Sequence, residues 1–210
     1  MAQATYGAGY GSSSRVYERA DGLIGMTPAT YAKGGKGAEI AYGIAASPLG
    51  RLLAAATARG ICFVGLGDSD RNLEAELRRD FWAADDIRRD DRQLGRSPSA
   101  LLAYLAGKEP HVDLPLDIRA TAFQRRVWQE LRRIPLGETR SYGDIARAMG
   151  KEGASRAVGR ACATNPVSLI VPCHRARGQD GSLTGYRWGI KRKAALLQRE
   201  SQMGERKKIL

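Results

Sequence analysis

The chain has 210 residues and a formal net charge of +12, with 34 Lys and Arg against 22 Asp and Glu. This length can bury one large core or two small ones. No apolar run is long enough to cross a bilayer or to form a signal segment, which excludes membrane-spanning classes. Without such a segment, the three cysteines Cys62, Cys162 and Cys173 do not indicate a disulfide scaffold, and we expect a cytoplasmic protein.

The positive charge is concentrated in the C-terminal part of the chain. Residues 1–118 carry 14 Lys and Arg against 15 Asp and Glu, whereas residues 119–210 carry 20 against 7. A basic half beside a nearly neutral one indicates a polyanionic partner, most often nucleic acid. A solvated basic surface without a partner is the alternative interpretation.

The first 36 residues are rich in Gly, Ser and Ala and contain one short helical pattern. Their stretch GYGSSSRVYERADGLIGMTPATY resembles the last part of an AraC-type DNA-binding domain, which would form its final recognition helix and closing helix. A single helix without its supporting bundle cannot bury its apolar face. We therefore expect residues 1–36 to be a truncated, mobile remnant.

Short apolar runs begin at Ala38. The runs AEIAYGIAAS, RLLAAATA and GICFVGLG, separated by PLG and RG, predict a small antiparallel meander. DSDRNLEAELRRDFW predicts an amphipathic helix and SPSALLAYLAG a second one. EPHVDLPLDI, with two prolines, predicts an extended connection in which His111 is a linker residue. These elements predict a domain with its linker over residues 37–118.

Residues 119–210 are predicted to form a second, mostly helical domain. Thr121 with Gln124, and Ser141 with Asp144, have the spacing of capping boxes at two helix starts. SYGDIARAMGKEGASRAVGRACATNP then has a helix, a glycine-containing turn and a second helix, which is typical of a helix-turn-helix.

The second helix of this pair is lined with small residues, namely Ala157, Gly159, Ala161 and Ala163. Small side chains let a helix backbone approach another surface closely. That surface is either the rest of the protein or the floor of a DNA groove. Arg156 and Arg160, four residues apart, favour DNA.

A cysteine lies between a proline and a histidine in LIVPCHRARG. The preceding VSLIV predicts a buried strand that Pro172 ends, so that Cys173 lies at the strand exit. A thiol with a pKa of about 8.5 is mostly protonated at neutral pH and needs a base or a positive field to react. Neighbours in an extended chain point to opposite sides, so a water relay to His174 is more plausible than direct contact.

NPVSLIVPCHR followed by GSLTGYRWGIKRKAALLQRE resembles the O6-alkylguanine-DNA alkyltransferases, and most closely their Ada-type members, over about residues 38–202. The resemblance implies an α+β fold. A small antiparallel-sheet, ribonuclease H-like domain would precede a mostly helical, winged-helix-like domain with a DNA-binding helix-turn-helix.

The resemblance also implies direct-reversal DNA repair. A methyl or alkyl group would move from O6 of guanine, and from O4 of thymine, in duplex DNA to Cys173 after base flipping. Such a methylated-DNA–protein-cysteine S-methyltransferase acts once per molecule, as a monomer and without a cofactor. No metal site is expected, since the cysteines and histidines lack zinc spacing.

The resemblance assigns roles residue by residue. Cys173 would be the acceptor, His174 the water-relaying base and Glu200 the carboxylate that orients the base. The other implied catalytic residues are Tyr142, beside the flipped nucleotide and able to protonate the departing purine, and Asn165, which braces the turn after the recognition helix. The implied DNA contacts are Arg156, which fills the gap in the base stack, Arg160, Tyr142, Ala157 and Arg175. The implied substrate contacts are Tyr186, Arg187 through its backbone amide, and Ala176.

Two other protein classes remain open. An alkyltransferase-like protein would bind damaged DNA without reacting, but such proteins lack the acceptor cysteine, and Cys173 argues against this class. An Ada- or AraC-type transcriptional regulator would need a second helix-turn-helix unit beside the remnant in residues 1–36.

Overall fold

The structure, a computed structural model, describes residues 34–209, so the predicted AraC-type remnant lies almost wholly outside the described residues. A four-stranded sheet with the order β3-β2-β1-β4 forms the N-terminal part. Its strands are β1 (Glu39–Ser47), β2 (Gly50–Thr57), β3 (Gly60–Gly67) and β4 (Asp86–Arg89). The predicted antiparallel meander is confirmed by β1 to β3. The short, charged β4 pairs in parallel with β1. Its residues lack the alternation of apolar and polar side chains that predicts a strand, so the sequence did not indicate it.

Two helices cover this sheet, α1 (Asp70–Asp80) and α2 (Ser97–Leu105), and both were predicted. The Ser69 side chain caps α1 by accepting a hydrogen bond from the Asn72 N–H. Leu73 and Leu77 place the apolar face of α1 in the core. The helix α2 buries Leu101, Tyr104 and Leu105.

The connection after α2 runs along the edge strand β3, a position that its prolines, which predicted only an extended segment, did not indicate. The Ile61 N–H donates to the Pro115 carbonyl at 2.8 Å, and the Asp117 N–H donates to the Ile61 carbonyl at 2.8 Å. The Val64 N–H donates to the Pro166 carbonyl at 2.8 Å on the same strand. The sheet edge therefore supports the segment that leads to Cys173.

The C-terminal part is helical. Its helices are α3 (Ala122–Arg132), α4 (Tyr142–Ala148), α5 (Ser155–Ala163) and α6 (Ile190–Ile209). Two short parallel strands, β5 (Arg140–Ser141) and β6 (Ala176–Arg177), connect them. Both predicted capping boxes are present at the starts of α3 and α4. None of the helices within residues 34–209 is long and apolar enough to cross a membrane.

The helices α4 and α5 form the predicted helix-turn-helix, with the turn over residues 149–154. Val158, Ala161 and Cys162 point inward from α5. The Trp128 indole N–H of α3 donates to the Ala161 carbonyl at 3.0 Å, which fixes α5 against the body of the protein. The predicted domain boundaries after residues 36 and 118 stay a prediction.

The prediction of a strand over VSLIV is wrong. Val167 and Ser168 form only isolated bridges, with Val64 and Val171 respectively, and Leu169 has a left-handed φ of 76°. The chain turns here, because the Val171 N–H donates to the Val167 carbonyl at 3.0 Å, four residues earlier. Its apolar side chains reflect burial of this loop rather than a strand. Cys173–Arg175 is a 3₁₀ turn, so Cys173 and His174 are not in an extended chain as predicted.

Candidate active site

Cys173 is the first residue of the 3₁₀ turn and is only 4% exposed. Its Sγ accepts a hydrogen bond from Asn165 Nδ2 at 3.2 Å. Burial raises the pKa of the Cys173 thiol, and the Asn165 hydrogen bond and the nearby charge of Lys193 lower it only in part. The thiol is therefore mostly protonated at neutral pH and needs a base to react.

Asn165 joins the end of α5 to the loop that carries Cys173. Its Nδ2 also donates to the Val171 carbonyl at 2.8 Å, and its Oδ1 accepts from the Val167 N–H at 3.0 Å. The amide is thus bonded at both ends inside the protein, where an unpaired polar group would be costly. Asn165 therefore holds the loop that carries Cys173 against the end of α5.

His174 and Glu200 form a buried pair. His174 Nε2 lies 2.6 Å from Glu200 Oε1, and both side chains are almost fully buried. A carboxylate accepts hydrogen bonds, so we assign the ring proton to Nε2. The other ring nitrogen, Nδ1, is buried and has no hydrogen-bond partner within residues 34–209. Its lone pair is thus available to accept a proton.

Arg175 completes the surroundings of Glu200. Its Nε donates to Oε2 at 2.8 Å and its Nη2 to Oε1 at 3.0 Å, while its Nη1 donates to the Ile134 carbonyl at 2.6 Å. Burial would raise the pKa of Glu200, but the hydrogen bonds and charges of His174 and Arg175 outweigh it and lower the pKa to about 2. Glu200 is therefore an anion at neutral pH.

The guanidinium of Arg175 is buried within the protein, and the predicted contact of this residue with DNA stays a prediction. The residue is 8% exposed, and its donors are directed at Glu200 and Ile134. A buried carboxylate needs a compensating cation, and Arg175 is that cation. Ala176 is also fully buried, in β6 beside Arg140, and its predicted contact with substrate stays a prediction.

Tyr142 is the first residue of α4 and lies against the loop before α6. Its hydroxyl donates to the Thr184 carbonyl at 3.0 Å, and burial raises its pKa. The Lys193 ammonium donates to the same carbonyl at 2.8 Å and lies 5.9 Å from the centre of the Tyr142 ring. These contacts hold the loop over residues 183–186 close to the helix-turn-helix.

Tyr186 and Arg187 follow in that loop and point in different directions. Tyr186 is buried with its ring edge-on to His174, at 6.4 Å between centroids. The Arg187 guanidinium pairs instead with Asp80 at 2.7 Å and Glu76 at 2.8 Å on α1. Its side chain thus anchors the loop to the sheet-containing part. The predicted contact of its backbone amide with substrate stays a prediction.

The outer face of α5 is open. Arg156, Ala157 and Arg160 are exposed, and a Cβ added at Gly159 would meet nothing within 4 Å. Ala157 and Ala163 are exposed and Gly159 is half-exposed, whereas Ala161, the fourth small residue of this helix, is buried against the protein. The predicted approach of this helix to a DNA groove stays a prediction.

Sequence reasoning missed two residues near the site. Tyr104 donates a short hydrogen bond to Glu200 from α2, and no local pattern connects residues so far apart. Lys193 is fully buried on α6. A signal existed for Lys193, because Lys193, Leu196 and Glu200 have the spacing of one helix face.

Two family models match the chain. One, for the ribonuclease-like domain of 6-O-methylguanine DNA methyltransferase, matches residues 40–118. The other, for the DNA-binding domain of the same family, matches residues 122–202. Their order confirms the predicted α+β fold, with a sheet-containing part followed by a helical one.

Individual proteins are similar over most of the chain. The methylated-DNA–protein-cysteine methyltransferase of Methanosarcina acetivorans is 40% identical over 161 residues, which are 76% of this chain and 97% of that protein. The bifunctional transcriptional activator/DNA repair enzyme Ada of Escherichia coli is 47% identical over 199 residues, which are 95% of this chain and 56% of that protein. This chain thus spans little more than half the length of Ada.

A solved structure has the same architecture. The crystal structure of Mycobacterium tuberculosis OGT in complex with DNA matches with a TM-score of 0.66 at 39% identity. The match covers 78% of this chain and 94% of that one.

Proposed function

This chain belongs to the 6-O-methylguanine DNA methyltransferase family, and from this premise we propose that it transfers a methyl or other alkyl group from O6 of guanine in duplex DNA to Cys173. The observation that carries the proposal is the buried thiol of Cys173 beside a histidine whose free nitrogen, Nδ1, is also buried. The known activities of the relatives named above support it. O4 of thymine is a second proposed donor.

In the proposed reaction His174 removes the proton of the thiol. Its Nδ1 accepts that proton through a water molecule, and Glu200 stabilises the imidazolium that forms. The thiolate attacks the alkyl carbon, a carbon–sulfur bond forms and the bond between that carbon and O6 breaks. The electron pair stays on the departing guanine, which Tyr142 protonates. No cofactor takes part, because sulfur accepts the alkyl group directly.

The damaged base reaches Cys173 by leaving the duplex. Unstacking a base costs a few kcal/mol, which a protein offsets by filling the gap. The exposed Arg156 of α5 has the position and size to do so, with Ala157 and Arg160 on the same open face. The net positive charge of residues 119–210 favours DNA binding on this side. We further propose that the protein works as a monomer in the cytoplasm.

Arg156→Ala is expected to slow methyl transfer from duplex DNA by on the order of 100-fold, because no side chain then fills the gap that the extruded base leaves in the stack. Transfer from the free base O6-methylguanine should change by less than about threefold, since no stack is involved. Single-turnover rates on the two substrates measure the difference. Arg133→Ala, which removes another exposed arginine of the helical part, serves as the charge-matched control. Equal slowing on both substrates would contradict base extrusion by Arg156.

The proposed function predicts one transfer per molecule. A carbon–sulfur bond to a simple alkyl group has no easy route to hydrolysis, so the thioether formed on Cys173 is permanent. Incubation with duplex DNA that carries O6-methylguanine should add one methyl group per protein, located by peptide mass spectrometry on Cys173. Repeated turnover, or methyl on Cys62 or Cys162, would refute the assignment. DNA binding without any transfer would place the protein in the non-reactive class.

A further inference from the structure

The hydroxyl of Tyr104 reaches the candidate active site from the sheet-containing part. Tyr104 is on the last turn of α2 and is 4% exposed. Its OH donates a short hydrogen bond to Glu200 Oε1 and lies 3.5 Å from His174 Nε2. The end of α2 is also held to α6 by Arg199, whose Nη1 donates to the Leu105 carbonyl at 3.0 Å. The contact is therefore part of a packed interface.

Tyr104 and His174 donate hydrogen bonds to the same carboxylate oxygen of Glu200. Glu200 Oε1 accepts from the Tyr104 hydroxyl, from His174 Nε2 at 2.6 Å and from Arg175 Nη2 at 3.0 Å. The other oxygen, Oε2, accepts from Arg175 Nε at 2.8 Å and from the Gly137 N–H at 3.4 Å. Burial, and next the charge of Glu200, raise the pKa of Tyr104, so the phenol stays protonated and remains a donor.

Each donor withdraws charge from the oxygen that accepts it. A carboxylate that is shared among several donors is a weaker acceptor for each of them. The phenol of Tyr104 therefore weakens the attraction of Oε1 for the proton on His174. It also fixes the direction of the carboxylate, and with it the direction in which His174 Nδ1 points.

We propose that Tyr104 is a positioning residue of the alkyl transfer, which orients Glu200 and, through the hydrogen bond from His174 Nε2 to the same carboxylate oxygen, the nitrogen Nδ1 that accepts the thiol proton. This inference rests on the proposed function. Glu200, the Tyr104 hydroxyl and the Tyr186 ring face His174, and Cys173 precedes it in the chain. Arg175 is the cation that faces Glu200. Tyr104 is the only one of these that the sheet-containing part supplies among the described residues.

Tyr104→Phe tests the proposal, because it removes the hydroxyl and keeps the ring that packs in the core. Without the third donor, Glu200 Oε1 becomes a stronger acceptor for the Nε2–H of His174 and is no longer held in one direction. The acid limb of the transfer rate against pH should move upward by on the order of one pH unit. Transfer should then be about tenfold slower near pH 6 and within about threefold of normal near pH 8.5. The stoichiometry should stay at one methyl per protein.

Tyr42→Phe is the matched control. Its hydroxyl donates to Glu74 at 3.0 Å, also a phenol-to-carboxylate hydrogen bond of the sheet-containing part but not at Glu200. The pH profile of this variant should be that of the unsubstituted protein. A Tyr104→Phe profile that is lowered by the same factor at every pH, or unchanged, would overturn the positioning role.

A second measurement serves if Tyr104→Phe does not fold. Replacement of Tyr104 by 3-fluorotyrosine keeps the hydroxyl and makes it a stronger donor, so the acid limb should move to lower pH. An unmoved or raised limb would overturn the proposal. If the unsubstituted protein transfers no methyl group at all, the proposed function itself fails, which is a different outcome from either variant result.

Discussion

Cys173→Ala is expected to transfer no methyl group and to bind duplex DNA carrying O6-methylguanine as tightly as the unsubstituted protein. Transfer needs the sulfur of Cys173 as acceptor, and the methyl group of alanine offers no nucleophile in its place. The loop should keep its shape, because Asn165 Nδ2 retains its 2.8 Å hydrogen bond to the Val171 carbonyl. Gel-shift titration measures binding, and methyl incorporation after complete incubation measures transfer.

Cys162→Ala and Cys62→Ala are the controls. Both thiols are buried, and burial raises the pKa of each. Cys162 points inward from α5 and Cys62 lies within β3. Each control should still accept one methyl group per protein. Residual transfer in Cys173→Ala, or its loss in a control that remains folded, would show that another thiol is the acceptor.

Glu200→Ala is expected to lower the free energy of unfolding by about 3–5 kcal/mol, the usual cost of removing one partner from a buried ion pair. Arg175 would remain inside without its counter-charge, and the Tyr104 hydroxyl and His174 Nε2 would lose their acceptor. Urea denaturation near neutral pH measures the change. A loss below about 1 kcal/mol would show that water or another group replaces the carboxylate.

Glu39→Ala is the matched control for this variant. Glu39 is 75% exposed in its side chain and lies 4.0 Å from Arg88, so it forms a surface ion pair. Such pairs contribute between zero and about 1 kcal/mol to stability. The contrast between the two glutamates isolates the effect of burial.

The lowered pKa of Glu200 predicts how the free energy of unfolding changes in acid. The pKa of Glu200 is lowered to about 2 in the folded protein, against about 4.3 in an unfolded chain. Its contribution to stability is therefore complete above about pH 5 and is lost as the pH falls towards 2. The unfolding free energy of Glu200→Ala should fall less steeply over this interval than that of the unsubstituted protein. Parallel curves would contradict the lowered pKa.

The amino-acid sequence by itself determined the elements with a local period or cap. The three strands of the meander, the amphipathic α1, and the capping boxes of α3 and α4 are all where their patterns predicted them. A strand or helix repeats its buried positions every two or three to four residues, so a few neighbouring residues suffice to define it. The thiol of Cys173 and the carboxylate of Glu200 were predicted as site residues from the resemblance of their motifs to the family. In the structure Asn165 donates to the thiol, and His174 and Arg175 donate to the carboxylate.

Only the tertiary structure decided which groups surround that carboxylate. Tyr104 and Glu200 are 96 residues apart, and Arg187 and Asp80 are 107 apart, so no local pattern records either contact. The surroundings of Arg175 were not predictable from the sequence either. A basic residue beside a DNA-binding motif suggests an exposed side chain, and only the fold shows that this one is buried. The loop over residues 167–171 was mistaken for a strand because burial selects apolar side chains in loops and strands alike. Contacts between residues far apart in the chain, which depend on the whole fold, decided these positions.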